Sequence, residues 1–350
     1  MRNKTSGVNT LILMDGLIPY VGSILYYLPV VRGKVSLAGQ PEKIVRAAKA
    51  ELLTAKGDFD VSAQLYETEP KDSQLFPSVA LCALMGAIGR RDDLMFDTIL
   101  SELRGYPKRT SCSHAKLAVE LTEALLRQRL LIRTGSPAWL DDLDLSGIPA
   151  PWRSTVCYLS VKMHYAKGEY VAAEVAAKIL LQLVEGTPPG TFGDVGLKLA
   201  CGAICQETDR NDDAVRWYRH AVESALSSGI VIPFLGLDIG PKSGLGRALK
   251  GVSPALFGKV NALSLSYFGN LIHFHNRYSG EKLTDALTPR EFYFAEALKR
   301  GLGYKAIAAR MGISAGRANI MVRSIYQKLH IHSRKEISIH VNWRSRRRWR

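Results

Sequence analysis

Acidic side chains are scarce where this chain is most basic. Residues 281–350 hold sixteen Lys/Arg and five Asp/Glu, and no acid stands between Ser314 and Leu329. The first 280 residues hold 31 basic and 27 acidic side chains, so most of the formal net charge of +15 belongs to the last fifth of the chain. Such a segment fits an anionic partner, either nucleic acid or a membrane surface. Cysteine is also sparse. Five residues, an odd number in 350, speak against a disulfide framework and fit a reducing compartment. Cys201 and Cys205 lie four apart on a predicted helix with no matching His or Cys pair nearby, so a buried helical face is expected there. No apolar run reaches bilayer length. The segment 8–31 is interrupted by Asp15, Pro19 and Pro29. Its uncharged part, 16–31, is 16 residues long, against the about 20 that a spanning helix needs. A core helix and no membrane partner are predicted.

Catalytic patterns are missing as well. No Ser/His/Asp order, metal-ligand spacing or paired-carboxylate cluster stands out, and His273, His275, His330 and His332 are too sparse to hold a metal. GLDIGPKS (236–243) nearly matches a phosphate-binding G-x-x-x-x-G-K-S loop, but Pro241 replaces the second glycine and offers no N–H to a phosphate. No strand–helix alternation surrounds it. The sequence predicts no enzyme, no catalytic residue, no metal site and no cofactor.

What is present is repetition. VRAAKAELLTAKGDFDVSAQLYE, VALCALMGAIGRRDDLMFDTILSEL, CYLSVKMHYAKGEYVAAEVAAKILLQL and LKLACGAICQETDRNDDAVRWYRHAVESAL each read as an Ala/Leu-rich helix, a polar or glycine break and a second helix. In the last, Ala200 and Ala203 face Ala214, Trp217, Tyr218 and Ala221 across the turn 210–213. These units resemble tetratricopeptide repeats (TPR). TGSPAWLDDLDLSGIPAPW (134–152) reads as a connector inside the array, and SGEKLTDA (279–286) as a flexible linker.

The basic segment opens with LTPRE (287–291). Thr288 is set to cap a helix, Pro289 suits its first position, and Glu291 closes a capping box. Leu287 and Phe292 stand at staple positions. The helix is expected to stop at Gly301. A second helix presents Tyr304, Ile307, Ala308 and Met311 on its apolar side, Gly312 turns the chain, and Ser314 caps a third. In the third helix, 314–329, Ala318, Met321, Val322, Ile325 and Leu329 face one way. Arg317, Asn319, Ile320, Arg323 and Gln327 face the other. Two short helices joined by a glycine turn, with basic and amide side chains on the second, make a helix-turn-helix. Arg suits guanine edges or phosphates, Asn suits adenine, and Ile320 suits a thymine methyl.

LTPRE…GLGYKAIAARMGIS…IYQKL, with HSR beyond, resembles the DNA-binding domain of LuxR-type (LuxR/FixJ) bacterial transcription regulators over about 284–341. The resemblance implies a four-helix domain whose third helix enters the major groove. It maps base reading to Asn319, Ile320 and Arg323, beside Arg317. The family's usual Thr-Val-Lys falls on Arg317, Ala318 and Asn319, its common His on Met321, and its Ser and Asn at the second helix on Gly303 and Tyr304. Lys328 and Arg334 match its KL and R positions. They are expected to touch phosphate or lock the fourth helix. Ser314, Lys305 and Gln327 complete the expected backbone contacts.

The order of repeats, VIPFL-like segment and LuxR-type domain is also similar to the C-terminal half of MalT-like regulators. No nucleotide-binding module is read here, so the repeats are expected to sense or assemble without an ATP switch.

The predicted fold is all-α. A TPR-like array spans 1–230, a linker with an irregular segment and one helix spans 231–283, the helix-turn-helix domain spans 284–342, and an Arg-rich tail spans 343–350. The expected function is sequence-specific transcription regulation, activating by family analogy. Expected partners are double-stranded DNA, a second copy of the chain on DNA, RNA polymerase by analogy, and a small-molecule or protein effector at the repeats. The expected place is the cytoplasm, at the nucleoid. The repeats are expected to hide the reading face until a signal arrives. The competing reading is a non-enzymatic repeat scaffold that binds nucleic acid without sequence preference.

Overall fold

The computed structural model describes residues 30–31, 34–35, 42–132, 135–149, 152–183 and 192–341. Most of the apolar segment 8–31 and the whole tail 343–350 lie outside these residues. Apart from a two-residue strand pair, Val30–Val31 with Lys34–Val35, the described chain is built of helices. No described helix is long and apolar enough to cross a membrane.

The four repeat-like units are four helix pairs. They are α1 (Glu42–Ala55) with α2 (Phe59–Thr68), α3 (Phe76–Arg90) with α4 (Asp93–Gly105), α7 (Arg153–Lys167) with α8 (Tyr170–Leu183), and α9 (Phe192–Glu207) with α10 (Asn211–Ser228). Between the second and third pairs lie α5 (Ala115–Arg129) and the single turn α6 (Ala138–Asp141). The turns follow local chemistry. Gly57 and Gly168 take left-handed backbone at two of them, and the Asp92 carboxylate caps α4 by accepting from Met95 N–H at 3.0 Å.

The odd-numbered helices α1, α3, α5, α7 and α9 form a row, each packed on the next, while α2 and α8 wedge against the following pair. That is a TPR-like stacking. Small residues permit it. A β-carbon at Gly202 of α9 would overlap the Tyr218 ring of α10. Cys201 and Cys205 are buried on the same helix.

Residues 231–283 depart from the sequence reading. They hold two helices rather than one, α11 (Gly244–Val252) and the 26-residue α12 (Pro254–Ser279), after a short 3₁₀ turn at Ile232–Phe234. The turn is buried where the first and later repeats converge. Val231 N–H donates to Ala55 O at 2.8 Å, and an Arg129 guanidinium nitrogen stands 3.4 Å from Ile232 O. Helix α12 then runs back over α3. Phe274 packs on Phe96 at 4.6 Å between ring centroids, Asn270 Nδ2 donates to Gly89 O at 3.0 Å, and His273 meets Asp93 at 2.7 Å. His275 Nδ1 lies 2.7 Å from Leu130 O and its Nε2 lies 3.2 Å from Glu281.

The stretch read as a flexible linker is tied down. Asn276 accepts from Leu283 N–H at 2.7 Å and donates to Leu283 O at 2.9 Å, and Leu283 is buried. Polar composition suggested slack, but one amide side chain one helical turn earlier removes it.

Four helices follow: α13 (Pro289–Lys299), α14 (Tyr304–Arg310), α15 (Ala315–Leu329) and α16 (Ile337–His340). Their core is continuous with that of the array. Phe292 of α13 meets Phe268 of α12 edge to face at 5.4 Å.

Phe274 clamps α12 to the first repeats. Phe274→Ala is expected to cost about 3–5 kcal/mol, the range for truncating a buried Phe. Urea unfolding of the full chain, read by its midpoint, checks this.

Candidate nucleic-acid interface

The C-terminal helices start and stop where short-range chemistry says they should. Thr288 Oγ1 accepts from Glu291 N–H at 3.3 Å, and the Glu291 carboxylate accepts from Thr288 N–H at 2.9 Å, a complete capping box. Leu287 and Phe292 are buried together. Gly301 and Gly312 both have positive φ, so L side chains disfavour either stop. Ser314 caps α15 by accepting from Arg317 N–H at 3.2 Å.

One carboxylate binds this domain together. Besides capping α13, Glu291 accepts from Ser324 Oγ at 2.7 Å and stands 2.6 Å from Lys328 Nζ, both on α15. Burial pushes its carboxyl up, but the hydrogen bonds from Lys328, Thr288 and Ser324 outweigh that and hold it below the ordinary 4.5. Arg334 works at the other end of α13. Its Nε donates to Leu298 O at 2.8 Å, which also accepts from Gly301 N–H at 3.0 Å, and its Nη2 donates to Leu302 O at 3.1 Å just past the helix end.

The two faces of α15 separate cleanly. Ala318, Val322, Ile325 and Leu329 are buried and Met321 is half-buried. Arg317, Asn319, Arg323 and Gln327 are exposed, and Ile320 is 58% exposed among them. Ser314 and Lys305 are exposed on the same domain. On α14, Ile307, Ala308 and Met311 are buried, but Tyr304 is 41% exposed and does not join that apolar side. It sits in the first helical position, where its ring clears the core.

Residues 285–341 match the family described as bacterial regulatory proteins, luxR family. This segment is a LuxR-type helix-turn-helix domain. No curated protein and no solved structure matches the chain. The domain makes the chain a DNA-binding transcription regulator, and α15 is its third helix.

The LuxR-type domain is docked on the array by charge. Arg290 Nε stands 3.1 Å from Asp238 Oδ1 in the loop before α11, and Arg290 Nη2 donates to Met311 O at 3.0 Å, at the start of the helix-turn-helix turn. Tyr293 donates to Gly236 O. At the last repeat, Glu207 stands 3.5 Å from Arg300 and 3.3 Å from Arg310, which also reaches Asp209 at 3.4 Å. These contacts hold α13, the end of α14 and the turn. They leave Arg317, Asn319, Ile320 and Arg323 exposed, so the array does not cover the face that the sequence suggested it would hide. The docking contacts have no local signal in the sequence, because Tyr293 lies 57 positions from Gly236 and Arg310 lies 103 from Glu207.

Two expectations follow from Glu291 and Thr288. Thr288→Ala is expected to lower stability by about 1 kcal/mol, the usual worth of an N-cap. A carboxyl depressed in the fold stabilises above its unfolded pKa and loses that contribution as pH falls through its folded value. The difference in melting temperature between the wild type and Glu291→Gln is therefore expected to shrink as pH drops below 4.5, the ordinary value. Calorimetry from neutral pH into that acid range reads both.

Proposed function

We propose that the chain is a sequence-specific regulator that reads operator DNA with the exposed face of α15 and is governed through its repeat array. The observation that carries this reading is the acid-free outer face of α15, where Arg317, Asn319, Ile320 and Arg323 stand exposed together. Arg and Asn offer bidentate donors to base edges and Ile320 an apolar contact for a thymine methyl. Ser314, Lys305 and Gln327, exposed at its margins, serve the phosphate backbone in this reading. Lys328 and Arg334 are assigned supporting roles there, since both already hold partners within the domain.

One short helix reads few base pairs, so the operator is bound by two copies. Activation through RNA polymerase is the sense of regulation the family suggests, and it rests on analogy alone. Effector or partner sensing is assigned to the array. What supports it is the mechanical join. A shift at Glu207 of the last repeat is felt at Arg300 and Arg310 of the reader. The site of action in this reading is the cytoplasm, and no chemistry is catalysed.

The test is genome-wide DNA occupancy in the native host, wild type beside Asn319→Ala/Arg323→Ala. Discrete peaks that vanish in the variant are expected. Each lost base contact is worth about 1–3 kcal/mol of discrimination. Diffuse signal unchanged by the variant refutes base reading by this face and moves the protein to the non-specific scaffold reading.

A further inference from the structure

The loop 236–243, which resembles a phosphate cradle in sequence alone, lies against the helix-turn-helix turn. A β-carbon at Gly312 would overlap the Lys242 carbonyl, and it would sit 3.1 Å from Lys242 Cβ. Gly312 is two residues before Ser314, the cap of α15. The Lys242 side chain therefore starts beside the entrance to the reading helix. It is exposed and makes no ion pair among the described residues, whereas the neighbouring acids Asp238, Glu207 and Asp209 are each matched to Arg290, Arg300 or Arg310.

The loop is also held firmly. Gly240 N–H donates to Asp238 Oδ1 at 3.0 Å, Ser243 N–H donates to Gly240 O at 2.8 Å, and Ser243 Oγ caps α11 by accepting from Gly246 N–H at 3.1 Å. Little backbone freedom remains to be lost when Lys242 meets a partner.

We propose that Lys242 is a DNA-phosphate contact supplied by the loop before α11, outside the LuxR-type domain, flanking the reading helix where the duplex backbone passes. The DNA-binding surface thus extends beyond the LuxR-type domain, and the docked arrangement is the one that binds. This inference rests on the proposed function, since it needs α15 to face DNA.

The experiment measures binding of the full chain to two fluorescent duplexes across a salt series. One duplex carries a wild-type occupancy peak and the other a random sequence. The proteins are wild type, Lys242→Ala, and Lys49→Ala as a control at an exposed lysine of α1. Lys242→Ala is expected to weaken both duplexes by the same factor and to make the slope of log affinity against log salt shallower by about 0.9, the loss of one phosphate contact. Lys49→Ala is expected to match wild type. An unchanged slope for Lys242→Ala, or an equal change for Lys49→Ala, overturns the proposal while leaving the DNA-reading function standing. Failure of wild type to bind either duplex overturns both.

Discussion

A partly buried ion pair, Arg290 with Asp238, decides where the reading domain sits. Burial pushes the Asp238 carboxyl up, and the Arg290 guanidinium pulls it back only in part. Such pairs add little net stability, because desolvation consumes most of the attraction, yet leaving one partner alone is costly. Their value is positional. In this docking, removing either partner would strand the other charge in a partly buried site. Arg290 also holds the Met311 carbonyl, so the same guanidinium sets the helix-turn-helix turn. Gly240 makes room for it, since a β-carbon there would overlap the guanidinium.

A second charged contact joins the last repeat to the reader. Glu207 accepts two arginines, one from the end of α13 and one from the end of α14. Burial, and then the Glu207 charge, push the Tyr165 hydroxyl well above its ordinary value in this patch. The two arginines come from different helices of the domain. The end of α9 is therefore tied to the pair of helices that carries α15, not to a single helix.

The C-terminal domain was legible because its signals are local. Thr288, Pro289 and Glu291 start a helix within five residues, Gly312 and Ser314 turn and restart it within three, and periodicity separates the faces of α15. The paired helices of the array were legible for the same reason. What stayed hidden is non-local. Nothing in the composition of GIVIPFLG (229–236) or in helix periodicity says that α12 returns across about half the chain to Gly89, Asp93 and Phe96. SGEKLTDA looked slack because its residues are polar, and its restraint comes from Asn276 outside it. GLDIGPKS reads only as a failed phosphate loop, and its use as a seat for Arg290 and Gly312 depends on a surface formed only after folding.

The restrained connector has a consequence for the DNA itself. A domain on a loose tether tolerates variable distances between two half-sites, because slack absorbs the mismatch at a modest entropic cost. Here Asn276, Leu283 and the Arg290–Asp238 pair leave no slack. In the proposed binding by two copies, any fixed join between their bodies would present the two α15 helices at a set separation and rotation, like the prongs of a caliper. Inserting about five base pairs, half a helical turn, between half-sites would swing one of them to the opposite side of the duplex. The spacing of an operator read by α15, as proposed, would then be dictated by the body of the protein.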